Sequence, residues 1–498
     1  MKHLLAIDQG TTSSRAIIYD EYCHPLFTSQ KEFSQSFPKP GWVEHDATEI
    51  WESVLETSRE AIEKAKASGP LDIAAIGITN QRETLVLWDR KTGDPVAPAI
   101  VWQDRRTGEY MSNLRESGKE PFIQQKAGLL LDPYFSASKL HWLLRQVPKA
   151  RFRAEAGELA AGTIDSWLIY KLTGGKAHVT DVTNASRTML MNLRSGEWDP
   201  DLLALFAIPA AVLPRILPTS GHFGDTDPEL LGKSYPICSA IGDQQAALFG
   251  QLCTTPGLIK CTYGTGCFML SFTGSDPMAS SNRLLSTVAW KIGDQPLQYA
   301  LEGSVFTGGS AVQWLRDNLK IIETAADINP LAAQVIDADG LVVVPAFTGL
   351  GAPHWDPTAR GAIFGISRGT TTAHIAYATL ESIAFQVTDL LTAMEKDSGH
   401  RVTTLRVDGG ASASDLLMQM QADLLGTKVE RPGNLETTAL GAAMMAGLGI
   451  GLWKNQEELT DIRAVDRLFR PALAVKERRT KLKLWHKAVK RSKNWATE

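Results

Sequence analysis

The stretch LLAIDQGTTSSRAIIY, residues 4–19, decides the fold of this 498-residue chain. Two apolar runs, residues 4–7 and 15–19, flank a segment of glycine, threonine and serine, and this pattern predicts a β-hairpin. A P-loop would lead from a strand into a helix and requires GxxxxGK[ST]. The chain lacks that motif, because Asp227 stands where the first glycine ahead of Gly232 would fall. The Walker fold is therefore excluded.

A similar pattern returns in the middle of the chain. Residues 258–262 predict a strand, Tyr263-Gly264-Thr265-Gly266 predict a tight turn, and residues 268–272 predict a second strand. The repeat predicts two lobes with a cleft between them, divided near residue 250 into residues 1–250 and 251–498. Strand patterns followed by helical patterns elsewhere indicate a mixed α/β fold.

The composition excludes several classes of function. The chain is 44% hydrophobic and 21% charged with a formal net charge of −4, which is typical of soluble globular proteins and shows no nucleic-acid-binding character. The apolar run at the N-terminus ends after four residues at an aspartate, so we expect neither a signal peptide nor a membrane anchor. We expect no membrane insertion.

Cysteine and histidine patterns bear on the compartment and on metals. Five cysteines without CxxC spacing argue against a disulfide framework and predict a reducing, cytoplasmic compartment. Ten histidines without HExxH spacing make a dedicated zinc site unexpected. A magnesium site built from one or two carboxylates would leave no such pattern and remains open.

Three aspartates follow apolar strands and stand next to or near a glycine: Asp8, Asp243 and Asp408. One such turn is more often an ordinary loop. Three of them together fit phosphate binding, because glycine turns bring backbone N–H groups to phosphate oxygens and aspartates hold magnesium.

The order of these turns resembles that of the sugar kinase, Hsp70 and actin superfamily. Two longer stretches are similar to the signatures of the FGGY family of carbohydrate kinases, and the likeness covers the chain from about residue 4 to about residue 490. The stretches are YFSASKLHWL at 134–143 and GAIFGI at 361–366, the latter followed by His374-Ile375 and Ala378-Thr379-Leu380-Glu381.

Within that family, four stretches most resemble the glycerol kinases: residues 8–15, 80–84, 242–250 and 263–270. The resemblance implies two actin-like, ribonuclease H-like lobes with the active site in the cleft. It implies ATP-dependent phosphorylation of glycerol to sn-glycerol 3-phosphate, the first step of glycerol catabolism, with ATP and Mg²⁺. It also suggests a homodimer or homotetramer.

The resemblance also assigns residues to roles. Asp243 is the general base, and Asp8 holds Mg²⁺. The glycerol site consists of Arg82, Glu83, Trp102, Tyr134, Asp243, Gln244 and Phe268. The ATP site consists of Thr11, Thr12, Ser13, Arg15, Thr265, Gly309, Gln313, Gly410 and Ser414. These types suit an uncharged triol, whose hydroxyls need donors and acceptors and whose C–H groups need an apolar wall.

Without the motifs, the same residues would be read differently. Trp102 and Phe268 would be core aromatic residues, and the pair Arg82-Glu83 would be a solvent-facing charged pair in a loop. The motif context favours the site.

The chain departs from the family pattern at three places. Ser414 stands where many glycerol kinases have an asparagine near the adenine, which leaves nucleotide preference open. The loop at 231–236 offers one lysine and no arginine for a sugar bisphosphate, and His222 lies outside the setting of the phosphorylatable histidine of some relatives. We expect neither fructose 1,6-bisphosphate inhibition nor histidine phosphorylation in its familiar form.

Two other functions remain open from the sequence. The chain could be a different sugar kinase of the family, acting on a ketopentose or a hexitol. It could also be an actin- or Hsp70-like ATPase, although its polar and aromatic site residues suit a small polyol better than a peptide.

Overall fold

A computed structural model describes residues 2–496; Met1, Thr497 and Glu498, at the outer ends of the two predicted lobes, lie outside the described residues. The strands are, in chain order, β1 (His3–Gln9), β2 (Ser13–Asp20), β3 (Pro25–Glu32), β4 (Glu44–His45), β5 (Ile73–Asn80), β6 (Leu85–Asp89), β7 (Ala99–Ile100), β8 (Leu159–Thr163), β9 (Val179–Asp181), β10 (Arg215–Leu217), β11 (Ser220–Asp225), β12 (Pro236–Gly242), β13 (Ile259–Tyr263), β14 (Cys267–Gly274), β15 (Leu285–Trp290), β16 (Gln298–Val305), β17 (Val342–Val344), β18 (Ala362–Phe364), β19 (Thr404–Asp408), β20 (Lys428–Pro432) and β21 (Val465–Phe469).

The α-helices are α1 (Ala47–Ser68), α2 (Gly108–Glu116), α3 (Glu120–Ala127), α4 (Ser136–Gln146), α5 (Ala150–Glu155), α6 (Ile164–Leu172), α7 (Val182–Ala185), α8 (Pro200–Leu205), α9 (Pro228–Leu231), α10 (Asp243–Gly250), α11 (Gly309–Asp317), α12 (Ile328–Ala332), α13 (Thr372–Ser398), α14 (Asp415–Leu425), α15 (Thr437–Gly449) and α16 (Val475–Ser492). Short 3₁₀ helices span Ala210–Val212, Ala325–Asp327, Gly410–Ala413 and Gln456–Ile462.

Both predicted hairpins are present. Each of them contributes its two strands to a large sheet. The first sheet has the strand order β11-β12-β5-β1-β2-β3, and the second has β15-β16-β14-β13-β19-β20-β21. In each, the hairpin strands pair antiparallel, while the first hairpin strand pairs parallel with a later strand, β5 or β19. The order β3-β2-β1-β5-β12 in the first sheet matches the order β16-β14-β13-β19-β20 in the second. The mixed α/β class is confirmed.

The parallel strands of the first sheet place the candidate site. β1, β5 and β12 are adjacent, with Asp8 paired to Thr79 and Gly242 paired to Asn80. Their carboxyl ends therefore meet at one edge, so the residues that follow each strand lie close together. In open parallel sheets this edge is where ligands bind.

Two helices, α10 and α15, lie between the sheets, and we call them the interlobe helix pair. α15 packs on β1, β5 and β12 of the first sheet, although it belongs to the second half of the chain. α10 packs on α15 and on β13 and β14 of the second sheet. Buried apolar residues from both sheets and both helices form one shared core, including Leu4, Phe249, Leu270 and Met444.

Glycines allow the backbones of the interlobe helix pair to touch. A Cβ atom at Gly441 would lie 1.9 Å from the carbonyl oxygen of Ala246, and one at Gly250 would lie 2.1 Å from the carbonyl oxygen of Thr437. Backbone cannot yield as a flexible side chain does, so any larger residue would push the helices apart.

The structure bears on two expectations, one about the cysteines and one about membrane-spanning helices. The five cysteines are all free and buried. None of the helices within residues 2–496 combines the length and the apolar character that crossing a membrane would require.

We predict that Gly441→Ala lowers the free energy of unfolding by about 1–3 kcal/mol, because the added methyl group overpacks the helix contact. The direction of the change in stability is informative. At a helix position with free space around it, alanine in place of glycine would instead stabilise the helix by about 1 kcal/mol. Urea denaturation followed by circular dichroism measures the change.

Gly108→Ala is the matched control, because no atom lies within 4 Å of a Cβ at Gly108, at the start of α2. We expect it to keep or raise stability. A Gly441→Ala protein as stable as the wild type would contradict the close contact.

Candidate active site

A cavity of about 120 Å³ lies at the edge of the first sheet and reaches the hairpin turn of the second. It is lined by Thr11, Arg82, Glu83, Trp102, Tyr134, Asp243, Gln244, Thr265, Gly266 and Phe268. All seven residues assigned to the glycerol site are in this set, together with two assigned to phosphate contact. Two other cavities of about 10 Å³ have room for about one water each.

Arg82 is held in place by a fork of hydrogen bonds. Its Nη1 and Nη2 donate to the two carboxylate oxygens of Glu302 at 2.6 and 2.8 Å, and Nη1 also donates to Gln245 Oε1 at 3.0 Å. Nε lies 3.1 Å from Asp243 Oδ1. A guanidinium has five N–H groups, so within the described residues two of them, on Nε and Nη2, keep capacity for a ligand oxygen.

The arginine belongs to a buried cluster of four charges. Arg187 Nε donates to Glu83 Oε1 at 2.7 Å, and its Nη2 donates to Glu302 Oε1 at 2.9 Å. Two guanidinium and two carboxylate groups, all nearly inaccessible to water, balance one another in formal charge, and the Asp243 carboxylate adjoins them at Arg82. Burial would raise the pKa of Glu302, but Arg187 and Arg82 outweigh it and hold the pKa at about 2.

Glu83 adopts a backbone conformation that non-glycine residues rarely take, with φ of +61°. Its carbonyl oxygen accepts hydrogen bonds from Ser136 Oγ at 3.0 Å and from the buried Lys139 Nζ at 3.5 Å. Strain of this kind persists where the surroundings impose it, and such residues cluster at functional sites. The conformation brings the Glu83 carboxylate to the cavity.

Aromatic rings form the apolar wall. The ring of Trp102 meets Tyr134 at 5.7 Å and Phe268 at 6.0 Å between centroids, both in edge-to-face contact. Trp102 Nε1 donates to Thr11 Oγ1 at 3.0 Å. The wall is therefore joined directly to the first glycine turn.

Asp243 is the first residue of α10 and follows Gly242. Its Oδ1 accepts from the backbone N–H of Gln244 at 2.7 Å. Burial raises the pKa of Asp243, and Arg82, Lys260 and the hydrogen bonds from Gln244 lower it in part. A carboxylate beside a polar cavity, with one oxygen free of backbone contacts, can accept a proton from a ligand hydroxyl.

Asp8 lies near the end of β1, next to the last residue of the strand. Burial raises its pKa to about 7, with Arg15 opposing the shift and Glu436 and Asp243 adding to it. Among residues 2–496, no cluster of three or more histidine, cysteine or acidic side chains forms a metal cage. A single carboxylate suits Mg²⁺, which keeps several waters and takes phosphate oxygens.

The residues assigned to phosphate contact from the first half of the chain lie in the first turn and at the start of β2. Gly10 N–H donates to the carbonyl of Ser13 at 2.9 Å and closes the turn. Arg15 pairs with Glu436, and its Nε donates to Gln30 at 3.2 Å. Thr12 is exposed at the tip, while Thr11 and Ser13 are half-buried.

The residues assigned to the nucleotide lie around the second hairpin. Gly309 N–H donates to the carbonyl of Gly264 at 2.8 Å, and a Cβ at Gly309 would reach Ala411 at 4.0 Å. Gln313 and Gly410 are exposed. Ser414 caps α14 by accepting from the backbone N–H of Leu417 at 3.1 Å. The Ser414 hydroxyl therefore has a structural partner already.

Two family models match the chain. The N-terminal domain of the FGGY family of carbohydrate kinases matches residues 3–250, and its C-terminal domain matches residues 259–450.

The chain belongs to the FGGY family of carbohydrate kinases.

Individual relatives of this FGGY kinase are similar along its whole length. The glycerol kinase of Rhodopirellula baltica is 56% identical over 100% of this chain and 92% of its own. The glycerol kinase of Trichlorobacter lovleyi is 56% identical over 100% of both chains. The crystal structure of Plasmodium falciparum glycerol kinase with ADP superposes with a TM-score of 0.92 at 38% identity, covering 99% of this chain and 98% of that one.

A xylulose kinase of Lactobacillus acidophilus shares the fold, with a TM-score of 0.86 at 24% identity. The predicted family and the two-lobed α/β class are thus confirmed.

Three residues at the site of this FGGY kinase were not predicted from the sequence. Glu302 and Arg187 complete the charge cluster, and Lys260 donates to Gln244 Oε1 at 2.6 Å. A lone charge within an apolar strand was the available signal for Glu302 and Lys260, on β16 and β13. Their partners could not be found that way, because the contact between Arg82 and Glu302 joins residues 220 positions apart.

We predict that Glu302→Gln lowers the free energy of unfolding by about 3 kcal/mol, because it leaves a buried guanidinium without its counter-charge while keeping the side-chain shape. Urea denaturation measures the change. Glu56→Gln is the control, because Glu56 pairs with Lys31 on the exposed surface and we expect no change there. Equal stability of the two variants would contradict the proposed balance of charges.

Proposed function

We propose that this FGGY kinase transfers the γ-phosphoryl group of ATP to glycerol, giving sn-glycerol 3-phosphate and ADP. The observation that carries the proposal is one small cavity in which Arg82, Glu83, Asp243 and Gln244 face an aromatic wall beside the first glycine turn. Full-length identity of 56% to glycerol kinases supports it.

Glycerol would be recognised through its hydroxyl groups. The free N–H groups of Arg82 donate to hydroxyl oxygens, and the carboxylates of Glu83 and Asp243 accept hydroxyl protons. Trp102 and Phe268 cover the C–H face, and Tyr134 closes the wall. A ligand lacking a hydroxyl would leave buried polar groups unpaired, which is a stronger filter than apolar fit.

Asp243 is the proposed general base. It takes the proton of the terminal hydroxyl while that oxygen attacks the γ-phosphorus in line. The bond between the γ-phosphorus and the bridging oxygen breaks, and ADP leaves. Positioning and electrostatics supply most of the acceleration, because phosphoryl transfer needs little covalent chemistry from the protein.

The phosphates would be held from both lobes. The first turn would bring four residues to the phosphates: Thr11, Thr12, Ser13 and Arg15. The second turn would bring Thr265. The adenosine would be bordered by four residues: Gly309, Gln313, Gly410 and Ser414. Asp8 would hold Mg²⁺ through water, and the ion would offset phosphate charge.

We further propose the lobe division 1–250 and 251–498, closure of the lobes on substrate, a cytoplasmic location and a homodimer or homotetramer. Glycerol catabolism is the proposed context. The absence of familiar bisphosphate or phosphohistidine regulation also stays a prediction.

The test is a coupled assay of ADP release with ATP, Mg²⁺ and a panel of polyols and sugars. We expect glycerol to stimulate ADP release strongly, and ketopentoses and hexitols to stimulate it little, because their longer carbon chains would collide with the aromatic wall. Stimulation by a ketopentose or hexitol but not by glycerol would make the chain another sugar kinase. Substantial ATP turnover without any polyol would favour the ATPase alternative.

We predict that Asp243→Asn lowers kcat by about 10²- to 10⁴-fold, because the amide cannot accept the hydroxyl proton. Calorimetric titration with ADP should show nucleotide affinity close to that of the wild type, which separates lost chemistry from lost folding. Turnover near the wild-type rate would remove Asp243 as the base.

A further inference from the structure

Lys260 is a fully buried lysine on β13, directly behind the cavity. Its neighbours in the strand, Ile259 and Cys261, are also buried, so the position lies in an apolar sheet. Its Nζ donates to Gln244 Oε1 at 2.6 Å and to Thr262 Oγ1 at 2.8 Å, and lies 3.5 Å from the carbonyl oxygen of Phe268. Three acceptors thus surround an ammonium group that has three N–H donors.

This contact fixes which way round the Gln244 carboxamide lies. A lysine ammonium donates and cannot accept, so the carboxamide must turn its oxygen to Lys260. The NH₂ group then points away from Lys260, and Gln244 is one of the residues that line the cavity. A carboxamide without such a partner could present either its oxygen or its nitrogen to a ligand.

The donor matters because two of the polar side chains that line the cavity are carboxylates, while Thr11, Tyr134 and Thr265 bring hydroxyls that can donate or accept. Glu83 and Asp243 bring carboxylates, and most N–H groups of Arg82 are already committed to Glu302 and Gln245. A polyol oxygen therefore meets few groups that can only donate. An oriented Gln244 NH₂ group has two N–H donors, of which one lies toward the Asp243 carboxylate and the other can meet a substrate oxygen.

Burying a lysine is costly unless the charge is compensated. Lys260 lies near Asp243 and Asp408, whose carboxylates favour its charged form, although burial lowers its pKa overall. An apolar residue would fill the same place in the sheet without that cost. The presence of a buried ammonium beside a cavity-lining side chain points to a role in the site.

We propose that Lys260 is a positioning residue that orients the Gln244 carboxamide so that its NH₂ group donates to a substrate hydroxyl. This rests on the proposed function, since it names how the same site selects a polyol. Lys260 itself touches no substrate.

The test compares Lys260→Met, Gln244→Ala and the double variant in the coupled ADP assay. We expect Lys260→Met to raise the KM for glycerol about 10-fold, the worth of one hydrogen bond, with KM for ATP changed less than about twofold. In the Gln244→Ala background, Lys260→Met should have little further effect, because the two residues act as one unit. Lys428→Met, on the exposed part of β20, is the control.

Effects that multiply in the double variant, or an unchanged KM for glycerol in folded Lys260→Met, would overturn the proposal. Gln244→Glu tests it independently of the folding of Lys260→Met, because a carboxylate keeps a partner for Lys260 but removes the NH₂ donor. We expect a similar rise in KM for glycerol, and a wild-type KM would overturn the proposal. A wild-type enzyme without glycerol-dependent ADP release would instead contradict the proposed function.

Discussion

Backbone contact between α10 and α15 sets the distance between the two sheets, and the cleft depends on that distance. The contact exists because glycines at 250 and 441 leave no side chain between the helices. Asp243, the proposed base, is the first residue of α10, and Glu436, which pairs with Arg15, directly precedes α15. The packing of the helix pair therefore positions groups on both the acceptor and the phosphate side of the site.

A second constraint is the balance of positive and negative charges among the buried side chains at the cavity. Arg82 and Arg187 are matched by Glu83 and Glu302, so the site can hold a guanidinium rigidly without water around it. A fork of two hydrogen bonds fixes the plane of Arg82. Such rigidity matters for an uncharged ligand, which offers only directional hydrogen bonds and no net charge to attract it.

Local pattern was enough to predict the hairpins, because an apolar strand, a glycine turn and another strand are contiguous in sequence. Motif resemblance named seven residues for the glycerol site, and these seven line one cavity, while their binding of glycerol stays a prediction. Glu302, Arg187 and Lys260 were missed because their significance comes from long-range contacts, such as that of Arg187 with Glu83, 104 positions away. The packing of α15 on the first sheet was missed for the same reason.

The placement of α15 has a consequence for biosynthesis. One face of the first sheet is covered by residues 437–449, which are synthesised only after almost nine-tenths of the chain has been made. Until then the apolar surface of β1, β5 and β12 lacks its cover, so the amino-terminal half cannot reach its final state during its own synthesis. Both lobes must complete their folding together, near the end of translation.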